Sequence, residues 1–163
     1  MWMQDLPSNK HMNEIKSQLR KFNLMGYADS SVKYEDNGEG GKILTRVDGS
    51  WKYEDEFYGG EPYSGNETLW LDGKDVFRCV YWGKVAEGIN FSDIYNFLRI
   101  ALKQGPTGSC VHRGPEKYSE KNLTYTNECN GTIEEFIQIE RIYLDEKEVY
   151  LAHFVGGLIN VRK

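Results

Sequence analysis

Long apolar runs are missing from this chain, and no stretch approaches the roughly 20 residues that a membrane-crossing helix requires. The opening MWMQDLPSNK has neither a basic leader nor an apolar signal core, so a cytoplasmic location is expected and export is not. Cysteine is scarce. Cys79, Cys110 and Cys129 are odd in number and widely spaced, which describes no disulfide framework, and reduced thiols are the simplest expectation. A basic surplus is absent too: the formal charge of −5 gives no broad attraction to phosphate backbones or anionic lipid, so direct nucleic-acid or membrane binding is not expected. The densest basic group, Lys16, Arg20 and Lys21, is interleaved with apolar residues. HExxH, paired-cysteine and GxxxxGK[ST] patterns are all lacking, and neither a metal nor a cofactor is expected.

What is present describes a folded globule. The 163 residues suffice for one domain with a sizeable core, and 13% of them are aromatic, so much of the hydrophobic content lies on rings, several with a polar edge. Met12, Ile15, Leu19, Phe22 and Met25 recur at spacings of three and four, predicting an amphipathic helix over Lys10 to Tyr27 with Ser8 as its cap. Asp29 to Gly41 is polar and glycine-ended, and reads as a mobile loop. Short strands are predicted at Lys42–Val47, from Trp51 and Tyr53 to Phe57 and Tyr58, at Glu67–Leu71 and at Asp75–Trp82. Asp72-Gly73 between the last two is a hairpin turn signal. A second helix is predicted over Asn90 to Lys103. Strands at Asn122–Cys129, Ile133–Leu144 and Glu148–Phe154 follow, closed by Gly156-Gly157 and a short apolar piece, Leu158 to Val161.

An internal repeat organises these elements. ETLWLDGKDVFRCVYWG, from Glu67, aligns without a gap to ERIYLDEKEVYLAHFVG, from Glu140, so both halves are expected to make the same hairpin. The predicted fold is α+β, a single domain over 1–163 with halves of approximately 9–84 and 88–161. Two helix-plus-antiparallel-meander units would form one curved sheet of six or seven strands, with both main helices packed on one face.

The chemistry-bearing residues leave alternatives open. Glu67 and Glu140 either line one cavity, for acid–base work or cation binding, or cap their hairpins and pair with nearby bases. Cys110 and His112 lie two residues apart in TGSCVHRGP, a nucleophile–base spacing only if that segment is extended; otherwise His112 and Arg113 form a solvent-facing loop pair. Cys79 reads as a small hydrophobe in a strand. The segment from Trp51 to Trp70 combines rings, acids and glycines, and Tyr53, Tyr58 and Tyr63 suit a concave wall for a flat or cationic organic ligand. The residues expected to line such a pocket are Tyr53, Tyr58, Glu67, Trp70, Tyr81 and Arg113, with Arg113 as an anion anchor.

At these residues the chain resembles the DUF5680 domain family. The likeness is carried by LMGYA at Leu24, the segment Tyr53 to Gly83, FLRIAL at Phe97, HRGPEKY at His112 and the segment Glu140 to Ile159. It departs where the family has a PYRGP-like loop and an FHGG-like ending, here His112-Arg113-Gly114-Pro115 and Phe154-Val155-Gly156-Gly157, so a family histidine is missing. The loop before Lys42 also lacks the family's serine and arginine pattern. No established reaction comes with the resemblance. It implies a bacterial protein in which this domain, joined in relatives to helix-turn-helix modules, acts as a sensor. A sensor half alone is expected here, binding a small organic ligand or acting through a homodimer or regulatory protein partner. A small hydrolase or isomerase using Glu67, Glu140 or the Cys110–His112 pair, and a protein-interaction module with an exposed aromatic strand edge, are the other readings.

Overall fold

The structure is a computed structural model that describes residues 9–159. Among them are two helices and nine strands: α1 Asn9–Leu24, β1 Glu35–Asp36, β2 Lys42–Asp48, β3 Trp51–Gly59, β4 Tyr63–Leu71, β5 Lys74–Val85, α2 Phe91–Lys103, β6 Lys117–Glu120, β7 Leu123–Thr132, β8 Glu135–Leu144 and β9 Lys147–Leu158. The strands form one antiparallel sheet in the order β1-β2-β3-β4-β5-β9-β8-β7-β6. Two meanders therefore meet at β5 and β9.

Nine strands replace the six or seven expected. The two additional strands are short and lack apolar alternation: β1 is Glu-Asp and β6 is Lys-Tyr-Ser-Glu. They form the two sheet edges, so the aromatic strands β3, β4 and β5 lie inside the sheet, and short charged edges resist strand addition. The polar stretch read as a mobile loop is tied down. Tyr34 Oη donates to Asp55, and Asn37 donates to Glu56 while accepting from the Gly41 amide. The first helix ends at Leu24, leaving Met25 42% exposed, while Ile15, Leu19 and Phe22 are buried as the spacing predicts. Its expected cap, Ser8, lies outside the described residues. Asn90 caps α2 by accepting from the Ser92 amide at 3.0 Å.

The two central hairpins correspond closely. At an offset of 73, Glu67↔Cys79 on β4/β5 maps onto Glu140↔Ala152 on β8/β9, and the bulge after Leu69 recurs after Ile142. Both turns place two residues at positive φ, Asp72-Gly73 in one and Asp145-Glu146 in the other. Where the hairpins join, Tyr81 pairs with Phe154, residues that are themselves 73 apart. Gly156 and Gly157 lie within β9, so Leu158 ends that strand; residues 160 and 161 of the expected terminal piece fall outside the described residues.

Period-two alternation gives the sheet two unlike faces. On β5, Phe77, Cys79, Tyr81 and Val85 are buried, and on β8 Phe136, Gln138, Glu140 and Ile142 are buried. Phe22 of α1 stacks on Tyr53 and Phe97 of α2 meets Tyr118. Val80, Val155 and Ile137 stand exposed on the other face.

Candidate functional site

Register brings the acids together. On β4, Glu67 is flanked by Asp55 of β3 and Cys79 of β5; on β8, Glu140 is flanked by Asn127 of β7 and Ala152 of β9. Both glutamates are at most 1% exposed, so each needs a partner. The loop after α2, residues 104–116, supplies the partners. His112 Nε2 lies 3.0 Å from Glu67 Oε2, while Arg113, at φ 72°, donates from Nε and Nη2 to Glu140 at 2.8 and 3.1 Å. Its Nη1 is 3.9 Å from Glu67 Oε1. One guanidinium thus sits between two carboxylates from different hairpins.

The surrounding donors complete this arrangement. Tyr125 donates to Glu140 at 2.9 Å, and Tyr53 makes the corresponding bond to Glu67. Asn127 fixes the loop by donating from its side chain to the Gly114 carbonyl at 3.0 Å and from its amide to the Glu116 carbonyl. A Cβ on Gly114 would fall 2.4 Å from the Tyr125 hydroxyl, so a side chain there would push the loop off the sheet. Burial raises the Glu67 carboxyl, but His112, Arg113 and Tyr53 outweigh it and hold the group below its usual range. Burial would lower the Arg113 guanidinium, and Glu140 more than reverses this.

A cavity of about 220 Å³ opens beside the cluster. Tyr27, Tyr63, Tyr95, Phe57 and Phe154 make much of its wall, with Arg113 at one side and Arg99 of α2 at another. Arg113 lies 4.5 Å from the Phe154 ring centre, and Arg99 stacks 4.7 Å from that of Tyr27. Asp55 also reaches the wall, accepting from Tyr34 at 2.6 Å and Tyr81 at 2.5 Å. Burial and then the charge of Glu67 push Asp55 up to about 6, against the opposing pull of the two hydroxyls and Arg113. Burial likewise raises the Tyr27 hydroxyl to about 12.

The residues expected at a pocket divide. Tyr81 and Arg113 line the cavity; Glu67 stands behind it, joined to His112. Tyr53 is in the core against Phe22. Tyr58 and Trp70 are carried to the other face, Tyr58 because it alternates with Asp55 and Phe57, and Trp70 because it pairs with Lys52, whose ammonium lies 4.6 Å from its ring centre. Asp55, Tyr27, Tyr34, Tyr95, Arg99 and Phe154 were missed. Alternation from Tyr53 already puts Asp55 on the inward face, a legible signal; the others arrive from distant segments.

Two readings of the loop change. His112 is buried among Phe77, Phe136 and Phe154, not solvent-facing, because Glu67 draws it inward. It forms no dyad with Cys110, whose Sγ instead approaches the Asn127 carbonyl at 3.3 Å. Glu67, Cys79 and His112 also place one donor atom each within 4.8 Å of one another, a convergence the isolated histidines did not suggest. Carboxylate, thiol and imidazole are zinc-type donors. Against a dication stand the hydrogen bond already joining Glu67 to His112 and the neighbouring guanidinium.

Fold and site together define a class: an α+β domain whose antiparallel sheet carries a ring-lined cavity beside a buried ion-pair cluster. The family's sequence model, described as a domain of unknown function (DUF5680), matches residues 55–159, and the chain belongs to that family. No curated protein and no solved structure gives a match. Among the described residues no helix is long and apolar enough to cross a membrane.

Proposed function

We propose that the chain is a sensory domain binding a small, ring-bearing organic acid in the cavity beside Arg113. The observation that carries this reading is the wall itself: aromatic surface beside two guanidinium groups, one of them spending Nε and Nη2 on Glu140. The remaining Nη1 has no partner within hydrogen-bond distance among the described residues, which suits it to an incoming carboxylate. Space for about seven waters fits a ligand built on one ring.

The proposal extends to the whole chain. Two duplicated helix-plus-meander units, with both helices over one face, are supported by the recurring register and bulge and by the Phe22–Tyr53 and Phe97–Tyr118 contacts. A cytoplasmic bacterial sensor would pass on occupancy through a regulatory protein or a second copy of the chain. Titration with benzoate and hydroxybenzoates, followed by calorimetry beside the matching alcohols and amines, tests the ligand class. Saturable binding of the acids, weakened at least about tenfold in Arg99→Gln by loss of a charge-assisted contact, is the expected result. Equal binding of amines, or no saturation by any acid, would overturn it.

Asp55 favours a second reading, an isomerase. A carboxyl titrating near 6 on the wall of a cavity is matched to moving a proton between two carbons beside a carbonyl. Deuterium exchange from solvent into a bound ring ketone, lost in Asp55→Asn, would support it; exchange equal to that in buffer alone would exclude it for that ketone class.

A further inference from the structure

The cysteines do not behave as three isolated thiols. Cys110, in the loop that carries His112 and Arg113, lies in contact with Cys129 of β7. Both flank Asn127: Cys110 Sγ lies 3.3 Å from its carbonyl oxygen, and Cys129 Sγ lies 3.7 Å from its Oδ1. Cys129 also donates to Gln138 Oε1 at 3.1 Å and meets the Val111 amide. Both residues are partly accessible, whereas Cys79 is buried. The sequence interval hid this pair because the contact forms only when the loop folds back on the sheet.

We propose that Cys110 and Cys129 form a dithiol site that exchanges with low-molecular-weight disulfides and closes to an internal disulfide, locking the Arg113 loop to β7. Cys129 is the attacking group: its sulfur meets the Cys110 thiol and the Val111 amide, and its own proton, held toward Gln138 Oε1 at 3.1 Å, is lost to solvent first. The contacts with Cys110 and Val111 lower the Cys129 thiol against the opposing effect of burial, while contact with Cys129 raises Cys110. The Cys129 thiolate attacks one sulfur of the small disulfide, forming a mixed disulfide and expelling one thiolate. Cys110 then gives up its proton to solvent and attacks the Cys129 sulfur, expelling the second thiolate. Two protein thiols are oxidised and one small disulfide is reduced to two thiols. The closed bond would tie the backbone two and three residues before His112 and Arg113 to the strand whose Asn127 already holds Gly114. Oxidation would thus fix the partners of both buried glutamates.

The full chain, reduced, desalted and incubated with glutathione disulfide, tests this directly. Intact mass and denaturing thiol counts should show loss of two of the three thiols, with no retained glutathione, and peptide mapping should join Cys110 to Cys129. The thermal midpoint should rise on oxidation and return on reduction. Cys110→Ser should trap glutathione on Cys129. Three thiols left intact, a stable adduct on the wild-type chain, or a crosslink through Cys79 would each overturn the proposal. The wild-type measurement decides the matter even if a variant fails to fold.

Discussion

The two central hairpins of this molecule follow one register and differ in what surrounds the buried glutamate of each. Glu67 and Glu140 occupy matching positions on β4 and β8, each with a tyrosine donor from the neighbouring strand. Around Glu67 the cross-strand neighbours are Asp55 and Cys79, and the loop contributes an imidazole. Around Glu140 they are Asn127 and Ala152, and the loop contributes a guanidinium. The exchange of an acid for an amide is one of these differences. Asp55 stands on a cavity wall with a raised proton affinity, while Asn127 uses its amide to hold the loop. One backbone plan thus supports a polar wall on one side and a loop anchor on the other.

The sharpest break of this comparison removes the charge on one glutamate at a time. Glu140→Gln should cost about 3–5 kcal/mol, because Arg113 is left buried with its hydrogen-bonded counter-charge gone. Glu67→Gln should cost less, about 1.5–3 kcal/mol, since the Arg113–Glu140 pair survives. Urea unfolding of the two variants checks the order, and equal losses would show that the halves bear the same load.

A pH series isolates the acid of the first half. Asp55 binds its proton more tightly when folded, near 6 against an ordinary 3.8, so the native state holds more protons between those values. Stability should therefore fall as pH rises through that window, by about 3 kcal/mol for about two pH units. Glu67 works the other way: its lowered value adds stability present above its ordinary 4.5 and lost as pH falls through the folded value. Asp55→Asn should flatten the fall toward neutral pH; a variant with the wild-type slope would assign that proton elsewhere.

Making the second half imitate the first gives a smaller effect. Asn127→Asp removes the donor to the Gly114 carbonyl and adds an acid beside Glu140, at a cost of about 2 kcal/mol at neutral pH. The penalty should shrink on acidification, which a melting series from neutral to acid pH would reveal. The smallest change acts at the turns. Glu146 adopts φ 66° where the first hairpin has Gly73, so Glu146→Gly should stabilise by up to about 1 kcal/mol, measured by thermal melting.

Much of the scaffold was legible, and the reason is local. The helix stripe of Ile15, Leu19 and Phe22, the Asn90 cap and the Asp72-Gly73 turn each act over a few residues, within reach of spacing and turn chemistry. The edge strands β1 and β6 escaped because they carry no apolar alternation. Glu67, Glu140, Arg113 and Tyr81 were named in advance, but Tyr58 and Trp70 were assigned inward without following the period of their strands. The wiring of the loop was beyond reach: Cys110 gave no sign of Cys129, and His112 none of Glu67.

Hairpins, helices and the residue types that would need partners follow from the chain locally, because propensity, alternation and desolvation belong to each residue and its near neighbours. The meeting of β5 with β9 and the folding of residues 104–116 onto the sheet are set in three dimensions. That closure sets the distances from Arg113 to Glu67, 46 residues before it, and to Glu140, 27 residues after it, and buried charge is sensitive to distances of a few ångströms. The ion-pair cluster, the cavity and the thiol pair are therefore properties of the assembled fold.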